Sequence, residues 1–164
     1  MSDHRSALTR RSLLGTGALL SLALSFPAKA QPPLPEVAVS KDPQCGCCTA
    51  WADHLRGAGF PVKVAESPDM REVKTRLGVP DSLASCHTAE VAGYVLEGHV
   101  PASAVVRLLR ERPRAKGLAV PGMPMGSPGM EGGGEPETYE VTLFGSQPDR
   151  VFAIYRGSVA LRNL

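Results

Sequence analysis

Hydrophobic and polar residues alternate along several short stretches of the chain, and each such stretch predicts a β-strand. The predicted strands are residues 36–40, 60–65, 86–91, 94–97, 139–144 and 150–155. A turn at Ala92–Gly93 joins the third and fourth strands. The last two strands flank residues 145–149, so we expect them to form a C-terminal hairpin.

Apolar residues recur at helical spacing in three other stretches. The predicted helices are residues 48–57, 67–77 and 101–112. In the first helix, Trp51 and Ala58 lie on the inward stripe. Ser67, followed by proline, is the expected N-cap of the second helix. In the third helix we expect Val106 to be buried and Arg107 to face solvent.

A segment rich in glycine, proline and methionine follows the third helix, at residues 116–136. Eleven of its last twenty residues are Gly or Pro, which predicts irregular structure throughout. Met123, Met125 and Met130 lie in this loop. Because no helix or strand is expected there, packing of the three thioethers in a core is the weaker interpretation.

The order of elements indicates the fold class. A strand, a cysteine turn, a helix and a second strand, followed later by a hairpin and a helix, is the thioredoxin or glutaredoxin order. We therefore predict an α/β protein with a mixed sheet and flanking helices. In that fold the segment entering the third strand lies against the cysteine turn. This predicts that Cys86 and His87 meet Cys45, Cys47 and Cys48 in space.

The first thirty residues predict an export signal rather than part of the fold. Arg10 and Arg11 precede an apolar run over residues 13–26, and Ala28–Lys29–Ala30 resembles a cleavage site. The paired arginines are typical of the twin-arginine route, with the Sec route as the alternative. The run is shorter than the roughly 20 residues that span a bilayer, so an uncleaved anchor is the weaker interpretation. We expect one domain at residues 31–164, in the periplasm and without a stable membrane anchor.

Charge and composition exclude several classes of function. The chain has 18 basic and 16 acidic side chains, and removal of the leader's four basic and one acidic residues leaves 14 and 15. No basic surface for nucleic acid is therefore expected. Aromatic residues are scarce at 5%, which argues against a stacking platform for bases or sugars. Four cysteines are too few for a small disulfide scaffold.

The turn Cys45–Gly46–Cys47–Cys48 places three thiols in four residues. A helix N-terminus favours thiolate, the form that binds metals and attacks disulfides. Structural disulfides, a thiol–disulfide oxidoreductase using Cys45 and Cys48, and a soft-metal site all remain open, and zinc is an alternative metal. The loop methionines favour copper, because thioethers are good ligands for Cu(I) and poor ones for zinc.

Histidines and one carboxylate could complete such a site. His87, next to Cys86, is a candidate ligand. His99 is a candidate ligand or a partner of a ligand, or it merely caps a helix or faces solvent. Asp42 could orient a ligand, although an Asp-Pro turn alone explains it. His54 is expected on the surface of the first helix. No general acid–base pair is evident, so catalytic residues cannot be named.

Several separated motifs resemble the CopG-like family of bacterial periplasmic copper-resistance proteins. The resemblance runs from about Val37 to Tyr155. The motifs are Asp42–Cys48, Trp51, His54–Leu55, Ser85–Thr88, Glu97–Ala102 and Gly117–Glu131. The family is described as thioredoxin-like and copper-binding, with clustered copper held by cysteine sulfur.

The resemblance implies a ligand set and a role. Cys45, Cys47, Cys48 and Cys86 would be the thiolates that hold one or more Cu(I) ions. His87 and the loop methionines would be nearby ligands or gates. The implied service is copper resistance, by sequestration or by an oxidoreductase activity on copper itself. Other periplasmic copper-handling proteins are the expected partners besides copper ions.

Overall fold

The elements of the protein are those of a computed structural model, which describes residues 33–146 and 148–164. In chain order they are β1 (Val37–Lys41), α1 (Gly46–Gly57), β2 (Val62–Glu66), α2 (Met70–Leu77), a 3₁₀ turn (Asp81–Leu83), β3 (His87–Val91), β4 (Tyr94–Glu97), α3 (Ala102–Glu111), β5 (Gly117–Ala119), β6 (Thr138–Phe144), β7 (Arg150–Arg156) and β8 (Val159–Asn163). The predicted export signal lies outside the described residues. No helix in the described ranges is long and apolar enough to cross a membrane.

All these strands belong to one mixed sheet, in the order β2-β1-β3-β4-β5-β6-β7-β8. The pairs β1–β2 and β4–β5 are parallel, and the other neighbouring pairs are antiparallel. The prediction of an α/β protein with a mixed sheet, flanking helices and a C-terminal hairpin is confirmed at this level. The thioredoxin-like assignment stays a prediction.

The sheet is covered by helices on both faces. Leu96 and Val95 are neighbours on β4, so their side chains point to opposite faces. Leu96 joins the larger core cluster with Trp51 of α1 and Val105 of α3. Val95 joins a second cluster that includes Val73 of α2. Helices α1 and α3 therefore pack on one face, and α2 packs on the other.

Two predicted details of the helices are wrong. The N-cap of α2 is Asp69, whose carboxylate accepts the Glu72 N–H at 2.9 Å, whereas Ser67 lies two residues upstream. Ala58 follows the last residue of α1 and is exposed, so it takes no part in the inward stripe. A side-chain hydrogen bond sets the start of α2, whereas backbone hydrogen bonds close the end of α1, and periodicity alone reports neither.

The third helix also differs from its prediction. Val106 is 41% exposed, while Arg107 is largely covered. The Arg107 guanidinium lies 3.9 Å from the centre of the Phe152 ring and donates to the Phe152 carbonyl at 3.0 Å. A long side chain at the border of a buried face can cover apolar surface with its stem and head.

Two strands were not predicted at all. The first, β5, lies within the segment expected to be irregular, and the last, β8, follows the predicted hairpin. Gly117 opens β5 because its backbone lies against Val95, where any side chain would collide with the Val95 carbonyl. Every residue of β8 is exposed, so the strand has no pattern of burial that a sequence could reveal.

Candidate metal centre

The cysteine turn is shaped by Asp42 at the end of β1. Its carboxylate accepts the Gln44 N–H at 2.8 Å, and its carbonyl accepts the Cys45 N–H at 3.0 Å. Cys45 is then the N-cap of α1, and its Sγ accepts the Cys48 N–H at 3.3 Å. The Asp42 carboxylate thus orders the turn itself.

A buried lysine secures the same turn. Lys41 is 4% exposed, and its ammonium donates to the carbonyls of Asp42 and Pro43 at 3.0 and 3.3 Å. Its nearest acidic partner is Glu66, with the Nζ and Oε1 atoms 3.6 Å apart. Lys41 continues the inward positions Val37 and Val39 of β1. The placement of a lysine at an inward strand position is the sequence signal for this role of Lys41.

The four cysteine sulfurs come together at the N-terminus of α1. They all lie within 4.8 Å of one another. Cys45 and Cys48 form a disulfide, with their Cα atoms 5.4 Å apart. Cys47 and Cys86 keep free thiols, and the Cys47 Sγ lies 3.5 Å from the Cys45 Sγ. The predicted approach of the strand entry to the cysteine turn is therefore present.

Cys86 also belongs to a second group of potential ligands. Its Sγ lies 3.3 Å from His87 Nδ1 and 3.1 Å from His99 Nε2. The three residues offer ligand atoms within 4.8 Å of one another. His99 is fully buried and its Nε2 contacts the Cys86 sulfur, so the solvent-facing alternative is wrong.

The loop between β5 and β6 fixes the orientation of His99. The Pro128 carbonyl lies 2.8 Å from His99 Nδ1. Because a carbonyl can only accept, Nδ1 carries the proton and Nε2 presents a lone pair toward Cys86. A ring nitrogen prepared in this way can accept a thiol proton or bind a metal.

His87 is the most enclosed of these side chains. Its ring lies 4.3 Å from that of Trp51 and 5.0 Å from that of His99, measured between centroids. Its Nε2 atom is buried and has no hydrogen-bond partner among the residues that the structure describes. Such an atom in a buried site is a candidate for binding an ion.

Burial sets the protonation of the group. Burial, and after it the charge of the nearby Cys47 sulfur, raise the pKa of the Cys86 thiol to about 11. Burial, together with the charges of His99 and Lys74, holds the pKa of His87 well below its usual range. Burial also lowers the pKa of His99. At neutral pH both imidazoles are therefore uncharged and able to act as ligands.

The methionine loop lies against the first turns of α1. Gly129 has φ +88°, and a Cβ there would stand 2.7 Å from the Cys47 carbonyl and 2.8 Å from the Trp51 nitrogen. Met123 is 53% exposed, and Met125 packs its thioether on Gly133.

Met130 follows this contact and is half-buried, next to the exposed Glu131. Its backbone is held inside the loop, where its N–H donates to the Ser127 carbonyl at 2.7 Å and its carbonyl accepts the Gly126 N–H at 3.0 Å. Among the three methionines, Met130 is the one adjacent in sequence to Gly129, which contacts α1.

His54 lies partly inside the protein and not on its surface as predicted. Its Nε2 accepts the Ala102 N–H at 3.1 Å and so occupies the N-terminus of α3. Burial lowers the pKa of His54, and the charge of Glu131 opposes that shift. His54 therefore caps a helix.

The donor atoms of the centre are sulfur and imidazole nitrogen. Both groups of potential ligands lack a carboxylate. Soft and borderline metals such as Cu(I) and zinc prefer these donors, whereas Mg²⁺ and Ca²⁺ prefer oxygen. The chemistry of the site therefore fits a thiophilic metal.

Two solved structures, described as copper resistance protein CopG, Form 1 and Form 2, are similar to this chain. Each is 46% identical in sequence and covers 76% of this chain and 99% of its own, with TM-scores of 0.70 and 0.71. The chain belongs to the CopG-like copper-resistance family. A family described as protein of unknown function, DUF411, matches residues 83–130. Comparison with curated proteins finds no match.

The DUF411 match covers one side of the centre in this CopG-like chain. It contains Cys86, His87, His99 and the three loop methionines, and the cysteine turn precedes it. Sequence reasoning missed Lys41, Glu97 and Pro128, which hold the ligands in place. The Pro128 carbonyl is backbone chemistry and carries no sequence signal.

Proposed function

We propose that this protein binds Cu(I) through Cys45, Cys47, Cys48 and Cys86 when the disulfide is reduced. The observation that carries the proposal is the convergence of four sulfurs within 4.8 Å at one helix N-terminus. Thiolates are the preferred ligands of Cu(I), and a helix N-terminus stabilises their negative charge. Copper here is the cargo or substrate of the protein.

Two histidines and three methionines could complete a copper site, and the methionines favour copper over zinc. His87 and His99 are neutral at neutral pH because burial lowers the pKa of each. Neutral imidazole can complete the coordination of an ion held by sulfur. In our proposal Met123, Met125 and Met130 deliver or shield the ion, since thioethers bind Cu(I) and hardly bind zinc.

The proposed setting is the periplasm, reached through the predicted export signal. The similar solved structures are described as copper resistance proteins. We infer the same service here, either by sequestration or by cycling copper between oxidation states, with other periplasmic copper-handling proteins as partners. We further propose a thioredoxin-like arrangement, supported by the sequence β1, cysteine turn, α1 and β2 on one mixed sheet.

A second candidate function is thiol–disulfide exchange. The observation that favours it is the disulfide between Cys45 and Cys48, the pair with Cys-x-x-Cys spacing. The Cys47 thiol lies 3.5 Å from Cys45 and could attack it. The two functions are compatible, because a dithiol that becomes a disulfide releases two electrons and two protons. Those electrons would reduce two Cu(II) ions to Cu(I).

The first experiment measures metal content and free thiols on protein purified without oxygen from copper-supplied cells. We expect at least one copper per chain, with cysteines protected from alkylation until the metal is removed. Single Cys→Ser variants should lose metal, and Met→Leu variants in the loop should bind it more weakly. Protein without copper, with Cys45 and Cys48 oxidised, would overturn the copper proposal. A disulfide-reduction assay on metal-free protein would then test the exchange activity.

A further inference from the structure

Glu97 is a fully buried carboxylate at the end of β4. It makes three short hydrogen bonds. Oε1 accepts from the Lys74 ammonium and from the Ser85 N–H, both at 2.6 Å, and Oε2 accepts from the Thr88 hydroxyl at 2.6 Å. Lys74 also donates to the Thr88 hydroxyl at 3.0 Å. Burial of a charge costs free energy unless it has such partners, so the stability of this region depends on all three hydrogen bonds.

Two of these partners flank Cys86 in the chain. Ser85 immediately precedes it, and Thr88 follows two residues later. The Glu97 carboxylate therefore hydrogen-bonds to the chain on both sides of Cys86. The Ser85 N–H precedes the first ladder residue of β3, so the strand pairing does not hold it. The carboxylate takes the place of a sheet partner for the Ser85 N–H, next to Cys86 of the candidate metal centre.

The same carboxylate connects Cys86 to His99. Gly98 follows Glu97, has φ +70° and donates its N–H to the His87 carbonyl at 3.0 Å. A Cβ at Gly98 would stand 2.5 Å from the Ser85 Oγ. The segments that carry Cys86 and His99 are thus packed backbone against backbone, and Glu97 lies where they join.

We propose that Glu97 is a positioning residue for the metal centre. Its hydrogen bond to the Ser85 N–H places the Cys86 sulfur within reach of both Cys47 and His99. Lys74 belongs to α2, which packs on the sheet face opposite α1, and its ammonium neutralises the buried Glu97 carboxylate. This inference rests on the proposed copper binding. Changes to groups that orient a ligand typically weaken metal binding by about 10–100-fold.

The decisive comparison is between two uncharged double variants. Glu97→Gln with Lys74→Met keeps an oxygen that can accept the Ser85 N–H, whereas Glu97→Leu with Lys74→Met removes it. Both remove the buried ion pair together, so neither leaves an unpaired charge. Cu(I) affinity is measured by competition with a chromophoric chelator. We expect the Gln variant to remain within about threefold of the original protein and the Leu variant to weaken by at least tenfold.

Two further measurements separate positioning from general destabilisation. Tyr139→Phe removes the buried hydrogen bond to the Gly157 carbonyl. It should lower the melting temperature without changing Cu(I) affinity. The sulfur-to-copper absorption band should change in the Leu variant and stay as in the original protein in the other two. Equal affinity and equal spectra for the Gln and Leu variants would overturn the proposal.

A metal-free test keeps this inference separate from copper binding. In a Cys45→Ser, Cys48→Ser background, the equilibrium between glutathione and a Cys47–Cys86 disulfide reports how closely the two thiols are held. We expect the Leu variant to disfavour that disulfide at least tenfold relative to the Gln variant. An unchanged equilibrium would count against Glu97 as a positioning residue. Failure of the original protein to bind Cu(I) would instead refute the proposed function.

Discussion

His99 and Pro128 are joined by a hydrogen bond of 2.8 Å between the imidazole Nδ1 and a backbone carbonyl of the methionine loop. The bond links the loop to the side chain that touches the Cys86 sulfur at 3.1 Å. A displaced loop would release Nδ1 and let the His99 ring change its tautomer and its angle. The loop is therefore connected to the candidate metal centre through this histidine.

Gly129 provides the test of that link. Gly129→Ala adds a Cβ against Cys47 and Trp51 at φ +88°, so the loop must move off α1. The backbone strain alone should cost about 1–3 kcal/mol of unfolding free energy. We expect weaker Cu(I) binding as well. Gly132→Ala is the matched control, because nothing lies within 4 Å of a Cβ there. Equal Cu(I) affinity in the two variants would contradict the link.

The redox state of Cys45 and Cys48 should set how much copper the protein holds. The disulfide removes two of the four sulfurs and leaves Cys47 and the group of Cys86, His87 and His99. We expect fully reduced protein to bind at least one more Cu(I) ion per chain than the disulfide form. Metal analysis after anaerobic desalting measures this, with free thiols counted on the same samples. Equal copper content in both states would show that Cys45 and Cys48 are not ligands.

Stability of the metal-free protein should fall in acid because of His87. Its pKa is well below the usual value near 6.5 when folded, so below about pH 6.5 the unfolded chain binds a proton that the folded protein does not. The contribution is therefore complete above pH 6.5 and is lost as the pH falls toward the folded pKa. The slope approaches ~1.4 kcal/mol per pH unit for one such group.

His87→Phe tests this contribution while keeping a ring against Trp51. Urea unfolding with a chelator present, at pH 7.5 and pH 5.5, gives the free energies to compare. The variant should lose less stability on acidification than the original protein. Parallel losses would mean that other groups carry the pH dependence.

Arg107 should contribute far more to stability than its neighbour Arg110. Its guanidinium stacks on Phe152 and donates to the Leu164 carbonyl at 2.6 Å and to Asn163 at 3.1 Å. Loss of these contacts in Arg107→Ala should cost about 2–3 kcal/mol of unfolding free energy. Arg110 is 75% exposed, and its alanine variant should stay within about 0.5 kcal/mol. Chemical denaturation measures the free energy of unfolding of both variants. Similar losses in the two would refute the larger contribution of Arg107.

The sequence predicted the parts of the fold that repeat a local pattern. Strands such as β1 and β6 show an alternating pattern, and the hairpins were predicted because the connections between neighbouring strands are short. Gly117 starts a strand only because β4 and β6 lie on either side of it, and that information is not local. Arg107 was expected in solvent because charge is visible in a sequence, while the Phe152 ring across the fold is not.

The candidate site shows the same division. The approach of Cys86 to the cysteine turn followed from the order of elements. The hydrogen bond from the Ser85 N–H to Glu97 could not be predicted, because it joins the segment before β3 to the end of β4. The inward position of Lys41 follows from the pattern of β1, but the carbonyls that its ammonium contacts do not. Hydrophobic periodicity predicts where helices and strands lie in the sequence. It does not predict which buried charged side chain hydrogen-bonds to which backbone group.

The spacing of the sulfurs limits how much copper can stabilise the fold. Cys45, Cys47 and Cys48 are neighbours in the chain and offer three thiols even when it is unfolded. Only Cys86, His87 and His99 require β3 and β4 to be in place. A ligand that also binds the unfolded chain stabilises the native state only by the difference between the two affinities. Copper should therefore raise the melting temperature less than its total affinity would suggest.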